Sequence, residues 1–241
     1  MNDANDILRI DQSDGVTTLT MDDGKANVMS LRMLRAMHGA FEQAAARRDI
    51  VVITGRAGLF SGGFDLAVFK REPEAIVTML TEGARLTERV LSHPRPVLAV
   101  CTGHAIAMGL FVLLSAHWRI GVDDPSRILQ ANEVANAMTL PHFAIQVCRQ
   151  RLAPAALLRT ALLATPHAPR QALEAGMLDE LAAPAELEQA VQARIGALRK
   201  LDANAFTATQ QRLQAPVLKA LRQAIDDDVA RWRADITGAR Q

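Results

Sequence analysis

Two short β-branched runs, Ile50-Val-Val-Ile-Thr-Gly55 and Val97-Leu-Ala-Val-Cys-Thr102, constrain the fold of this chain more than any other feature. Each is bounded by charge, proline or glycine and is too short for a typical helix, so both read as buried strands. The stretches before them carry a different period. From Ser30, a good N-cap, Leu31, Leu34, Met37, Ala40, Phe41 and Ala44 recur at helical spacing up to Arg47-Arg48, where basic side chains suit a helix C-terminus. A second helix is predicted over 73–92, opened by Pro73 and closed by Pro94 and Pro96. After the second strand, Thr102-Gly103-His104 leads into an apolar helix near 108–116, and Trp118-Arg-Ile-Gly-Val122 returns as a strand. Upstream, residues 7–11 and 16–22 read as a hairpin turning at Ser13-Asp14-Gly15, closed by Asp22-Asp23-Gly24. Strands alternating with helices imply an α/β layered core.

Beyond Pro141 the composition turns helical, with segments predicted at 154–164, 168–175, 184–200 and 204–239 divided by proline and glycine. The last reads as an appendage. Its apolar positions Leu213, Leu218, Leu221, Ile225, Val229 and Trp232 need a surface to cover, expected on another subunit. Composition narrows the function classes. A chain of 241 residues that is 49% hydrophobic fills a substantial core without cross-links. Cys101 and Cys148 lie in apolar stretches with no CxxC or Cys/His spacing, which argues against a disulfide framework or a zinc site and fits a reducing cytoplasm. A net charge of +1 speaks against a nucleic-acid partner. The N-terminal residues lack the basic-then-apolar order of a signal peptide, and the apolar stretches are interrupted before they span a bilayer.

Three segments, in order, resemble the crotonase (enoyl-CoA hydratase/isomerase) superfamily. Leu59-Phe-Ser-Gly-Gly-Phe-Asp-Leu66 is similar to that family's F-x-A-G-x-D-(L/I) loop, where the residue before the Asp gives one backbone N–H to an oxyanion hole; here it is Phe64. Pro96-Val-Leu-Ala-Val-Cys-Thr-Gly-His-Ala-Ile-Ala-Met-Gly109 is similar to the strand and triple-glycine turn that supply the second N–H, which falls on Met108. Asn132-Glu-Val-Ala-Asn-Ala-Met-Thr-Leu-Pro141 resembles the segment carrying a catalytic glutamate, and Glu133 takes that place. A weaker match is Ala172-Leu-Glu-Ala-Gly-Met-Leu-Asp179. The resemblance implies a spiral core of repeated ββα units over residues 1–185, a helical oligomerisation region over 186–241, and a homotrimer or hexamer. It implies an acyl-CoA substrate, with coenzyme A arriving as part of that substrate and no other cofactor or metal. It places Lys25 and Ala26 on an early CoA-contacting loop, assigns Ser61, Gly63, Asp65 and Leu66 to the same binding surface, and puts Gly109 and Phe111 in the substrate pocket.

The chemistry needs these parts. Removing a proton beside a thioester puts negative charge on its carbonyl oxygen, and two preorganised N–H groups stabilise it in a water-poor site, each by roughly 3 kcal/mol. Any non-proline residue supplies an N–H, so the side chains of Phe64 and Met108 do not disqualify them. The departures carry information as well. The triple glycine is Ala107-Met108-Gly109 here, so Cβ atoms stand at the turn. The position of the hydratases' second glutamate holds Phe111, which cannot polarise water. One carboxylate is what the resemblance implies for isomerising a 3-enoyl-CoA to the trans-2-enoyl-CoA, with Glu133 as acid/base, its pKa raised by burial among Val134, Ala135 and Phe111. Ala137 replaces a glycine in the Glu133 segment. Phe60, Phe64, Phe69 and Phe111 point to an apolar tail pocket.

Plainer readings stand beside these. Alone, Glu133 is a solvated loop glutamate, Asp65 a local backbone cap, Lys25 and Lys70 solvated surface lysines, His104 and His142 structural histidines, and Phe111 core packing. Two other functions compete with isomerisation: 2-enoyl-CoA hydration, and non-catalytic binding of acyl-CoA or RNA on the same fold, with Arg32, Arg35, Arg47 and Arg48 as the RNA footprint.

Overall fold

The computed structural model describes residues 6–70 and 72–238. The chain opens with β1 (Leu8–Ser13) and β2 (Val16–Met21), an antiparallel hairpin whose turn residues Asp14 and Gly15 both have positive φ, 49° and 73°. That is the turn chemistry whose twist matches paired strands. After the short β3 (Val28–Met29), α1 (Leu31–Arg47) starts at Ser30, whose hydroxyl accepts the Met33 N–H, and buries the predicted stripe from Leu34 to Ala44.

Three successive units then follow one plan, a long strand, a short strand and a helix. The first is β4 (Ile50–Gly55), β5 (Gly58–Ser61) with the two-residue β6 (Gly63–Phe64), and α2 (Pro73–Leu91). The second is β7 (Val97–Cys101), β8 (Gly103–Ile106) and α3 (Met108–Ser115). The third is β9 (Trp118–Val122), β10 (Leu129–Gln130) and α4 (His142–Arg151). The long strands join one six-stranded sheet in the order β1-β2-β4-β7-β9-β11, parallel except for β1, and β11 (Glu180–Ala182) forms its far edge. The short strands form a second, parallel sheet, β10-β8-β5. At Gly103 the chain passes from one sheet to the other so tightly that a Cβ there would run into the Gly58 backbone. Glycine is required at that crossing.

Both faces of the large sheet are covered, which is why its central runs are apolar without alternation. Val51, Ile53, Val97 and Ala99 face the main core with α1 and α3; Val52, Leu98, Val100 and Ile120 face Val191 and Ile195 of α7 (Leu187–Arg199). α5 (Pro154–Ala161) and α6 (Pro169–Ala175) lead to β11, and α8 (Ala203–Gly238) closes the chain. α8 corrects one expectation. Leu221 and Ile225, with Val217, Leu218, Val229 and Trp232, pack on the core of their own chain, alongside α2 and α4, so this stripe needs no other subunit; only Leu213 of the expected set is left exposed. Among the described residues no helix is long and apolar enough to cross a membrane.

Candidate active site

The small sheet gathers the site. Ser61, Ala105 and Leu129 lie level across β5, β8 and β10, and three, three and four residues later the chain reaches Phe64, Met108 and Glu133. Parallel strands send all their C-terminal ends the same way, which is where open α/β sheets place ligands. The three residues singled out from sequence therefore emerge from one edge.

The first turn is held by polar bonds. Asn27 is fully buried at φ 47°; its Nδ2 donates to the carbonyls of Met21 at 2.9 Å and Phe60 at 3.3 Å, and its Oδ1 accepts the Asp23 N–H at 3.0 Å. The Asp23 carboxylate accepts N–H bonds from Lys25, Asn27 and Val28 at 2.8 to 2.9 Å. Burial pushes that carboxyl up, but these N–H groups and the Arg56 charge outweigh it and hold its pKa below the ordinary range. The Ser61 hydroxyl donates to the Asn27 carbonyl at 2.7 Å and accepts the Gly63 N–H at 3.2 Å. Ser61 is thus buried and engaged, a brace for the turn rather than a face for coenzyme A. Asp65 caps the Ala67 N–H at 3.0 Å, as its plain reading has it, while Lys25, Ala26 and Leu66 lie exposed on the outer rim.

The second turn is built differently. Ala107 sits at φ 49°, ψ −122°, a region that side-chain-bearing residues rarely adopt, and its N–H donates to the Gln130 carbonyl at 2.8 Å. Met108 opens α3, so its N–H has no acceptor within the helix and points where the macrodipole favours an anion. Gly63 abuts this turn: with φ 96°, a Cβ on it would stand 3.0 Å from Ala107 Cβ and 3.6 Å from Met108 N. The backbones of the two proposed donors are thereby neighbours. Their side chains turn away and meet over Gly83 of α2, where a Cβ would come within 2.5 Å of the Phe64 ring and 3.3 Å of Met108 Sδ. The absent side chain of Gly109 makes room for Ser61, 2.7 Å from such a Cβ, so its role is helix–strand packing and not lining a pocket. The Phe111 ring is buried, edge-on to Phe143 of α4 with centroids 5.9 Å apart.

Glu133 is not a solvated loop residue. It is 8% exposed, and its Oε2 is buried without a hydrogen-bond partner among the described residues. Burial, partly countered by its own backbone N–H, pushes the pKa up to about 7. Val134 and Ala135, expected to bury it, are exposed. Cys148 of α4 is near enough to feel the Glu133 charge; burial first, and then that charge, push the thiol up to about 12, which leaves it inert at neutral pH. The sequence reading missed α4, because His, Phe, Ile, Val and Cys give little helix propensity or periodicity. Elsewhere, His104 accepts the Ile128 N–H at 3.2 Å, as a structural histidine does. Asp179, from the fourth matched segment, clasps buried Arg119 of β9 at 2.6 and 2.8 Å. The ring of Phe69 lies outside the described residues.

Comparison with known proteins bears on the family and the fold. The family model described as enoyl-CoA hydratase/isomerase matches residues 11–236. The structure of an enoyl-CoA hydratase/isomerase family protein from Pseudomonas syringae superposes with a TM-score of 0.91 at 38% identity, over 94% of this chain and 98% of that one. A Mycobacterium tuberculosis protein, described in one structure as an enoyl-CoA isomerase and in another as a probable enoyl-CoA hydratase, gives 0.88 at 35% identity over 94% and 99% in the first, and 0.91 at 34% over 98% and 100% in the second. A peroxisomal fatty acid β-oxidation multifunctional protein of Arabidopsis thaliana is 29% identical over 189 residues, 72% of this chain; the chain spans 25% of the length of that relative.

Proposed function

The chain belongs to the enoyl-CoA hydratase/isomerase family of the crotonase superfamily, and on that footing we propose that it isomerises 3-enoyl-CoA thioesters to trans-2-enoyl-CoA, with Glu133 as the single acid/base. The observation that carries this reading is a buried carboxylate, one oxygen without a hydrogen-bond partner among the described residues, that follows the same edge of the small sheet as two turns whose backbones meet. In the proposed step the thioester oxygen accepts the Phe64 and Met108 N–H groups while the Glu133 carboxylate takes a proton from C2. The released electron pair delocalises onto the carbonyl oxygen as a dienolate, and the carboxylic acid returns the proton to C4 as the double bond moves from C3–C4 to C2–C3. Atoms and charge balance, and the glutamate ends as it began. A pKa of about 7 suits a group that must both take and give the proton at neutral pH.

Coenzyme A would lie over the exposed rim of Lys25, Ala26 and Leu66. The homotrimer or hexamer belongs to the same reading; Leu158, Leu162 and Leu163 present an exposed apolar surface for it. The Mycobacterium tuberculosis relative, described as an isomerase in one structure and as a probable hydratase in another, is consistent with either reaction, so the choice rests on the site. Hydration of a 2-enoyl-CoA is the competing reading, since the family covers both reactions, but it calls for a second group to hold water, and Phe111 stands at that position inside the core.

The test is turnover of wild type and Glu133→Gln on 3-hexenoyl-CoA and crotonyl-CoA, followed by absorbance of the conjugated thioester and by product mass. Conjugation without mass gain, reduced about a thousandfold or more in the variant, is expected if the general acid/base is lost. Water addition to crotonyl-CoA as the main activity would replace the isomerase by the hydratase, and no turnover on either would leave a binding protein.

A further inference from the structure

α4 begins without a cap of its own. Its N-cap position is Pro141, which has no side-chain acceptor, and its first turn holds no acidic residue. The acceptors arrive from the far end of the chain: Asp228 of α8 takes the His142 N–H on Oδ1 at 2.9 Å and the Phe143 N–H on Oδ2 at 2.8 Å. Asp228 is 2% exposed, whereas Asp226 and Asp227 beside it are exposed. The charged groups that bear on it are His142 from α4 and Asp227 from α8. A carboxylate buried this way between two helices is costly unless its bonds are needed.

What those bonds hold is the mount of Glu133. Between buried Glu133 and buried Leu140, every residue from 134 to 139 is exposed, and a 3-10 turn over Val134–Asn136 closes on the Glu133 carbonyl, which accepts the Asn136 and Met138 N–H groups at 2.9 Å. This turn, with little burial of its own, is anchored at both ends. Before it, Gln130 accepts the Ala107 N–H and donates to the Ala164 carbonyl at 2.7 Å. After it comes the start of α4, and α4 also packs Phe143 against Phe111 and holds Cys148 near enough to feel the Glu133 charge. We propose that Asp228 is a positioning residue for Glu133: by capping α4 from α8, it fixes the far end of the glutamate loop and keeps the wall behind the carboxylate closed. The inference rests on Glu133 as the acid/base of the proposed reaction.

Asp228→Asn keeps the shape but sets an NH2 group against one of the two N–H donors. The expected result is a fall of about tenfold in the kcat of isomerisation, from misplacement of the base, with KM within about twofold. The ascending limb of the pH–rate profile should move to lower pH as water reaches Glu133. Leu221→Ala is the matched control, since it weakens the same helix at a buried site away from the α4 cap; it should lower stability and leave the profile in place. The same shift in the control, or no shift in Asp228→Asn, would overturn the proposal.

One measurement needs no turnover. The difference in Tm between Glu133→Gln and its parent, followed from pH 4 to 8, reports the titration of Glu133 in either background. A window displaced to lower pH by Asp228→Asn supports the positioning role even if the isomerase reading has failed. A window left where wild type has it sinks the role whatever the reaction.

Discussion

The two turns proposed to donate N–H groups do the same job with opposite chemistry. The turn from β5 to β6 is fixed by a polar web, in which Asn27, Asp23 and Ser61 engage the N–H groups of Asp23, Lys25, Asn27, Val28 and Gly63, and glycine occupies the positive-φ position. The turn from β8 into α3 has an alanine at positive φ and an apolar helix buried on every side from Met108 to Ser115. One is preorganised by side-chain hydrogen bonds; the other is held by packing and the backbone bond from Ala107 to Gln130, with strain of about 1–3 kcal/mol stored at Ala107. Two turns of one site thus reach neighbouring positions by different means.

The contrast is open to test. Asn27→Ala should cost about 3 kcal/mol in urea unfolding, because it orphans the Asp23 N–H and several buried carbonyls together. A loss below about 1 kcal/mol would break the contrast and show that packing holds the first turn as well. Glu133, at the third strand end, should show stability given up for chemistry. Its folded pKa of about 7 lies above the ordinary value of 4.5, so the protonated form favours the fold. That contribution is complete below pH 4.5 and is lost as pH rises towards 7. Glu133→Gln should therefore be more stable than wild type by about 3 kcal/mol at pH 8 and equal to it near pH 4, in thermal unfolding across that range. The smallest effect sharpens the comparison most: Ala107→Gly should raise stability by about 1 kcal/mol through relief of strain, with activity kept. If stability drops instead, contact of the Ala107 methyl with Gly63 outweighs the strain.

Much of this was legible in order and spacing. The strands at 50–55 and 97–102, the helix from Ser30 and the hairpin at Asp14-Gly15 each carry a local signal strong enough to survive any context. Phe64, Met108 and Glu133 were legible too, since a turn motif is a local object. The small sheet was not, because strands of two to four residues are too short to show a period. Asp228 left one signal that went unread: it follows Leu221 and Ile225 at helical spacing on the buried stripe of α8, and a carboxylate on such a stripe must have a partner. The alanines at 107 and 137, read as departures from a glycine pattern, do occupy glycine's backbone, at φ 49° and 57°.

By itself the sequence determined which segments are strands and helices and which three residues stand at turns, because periodicity, glycine and proline act over a few residues. Only the tertiary structure decided that those turns share one edge, that Glu133 is buried while Val134 and Ala135 are exposed, and that a residue of the last helix caps α4. Those outcomes depend on contacts between residues far apart in the chain, where burial and dielectric are set by neighbours that no local pattern names.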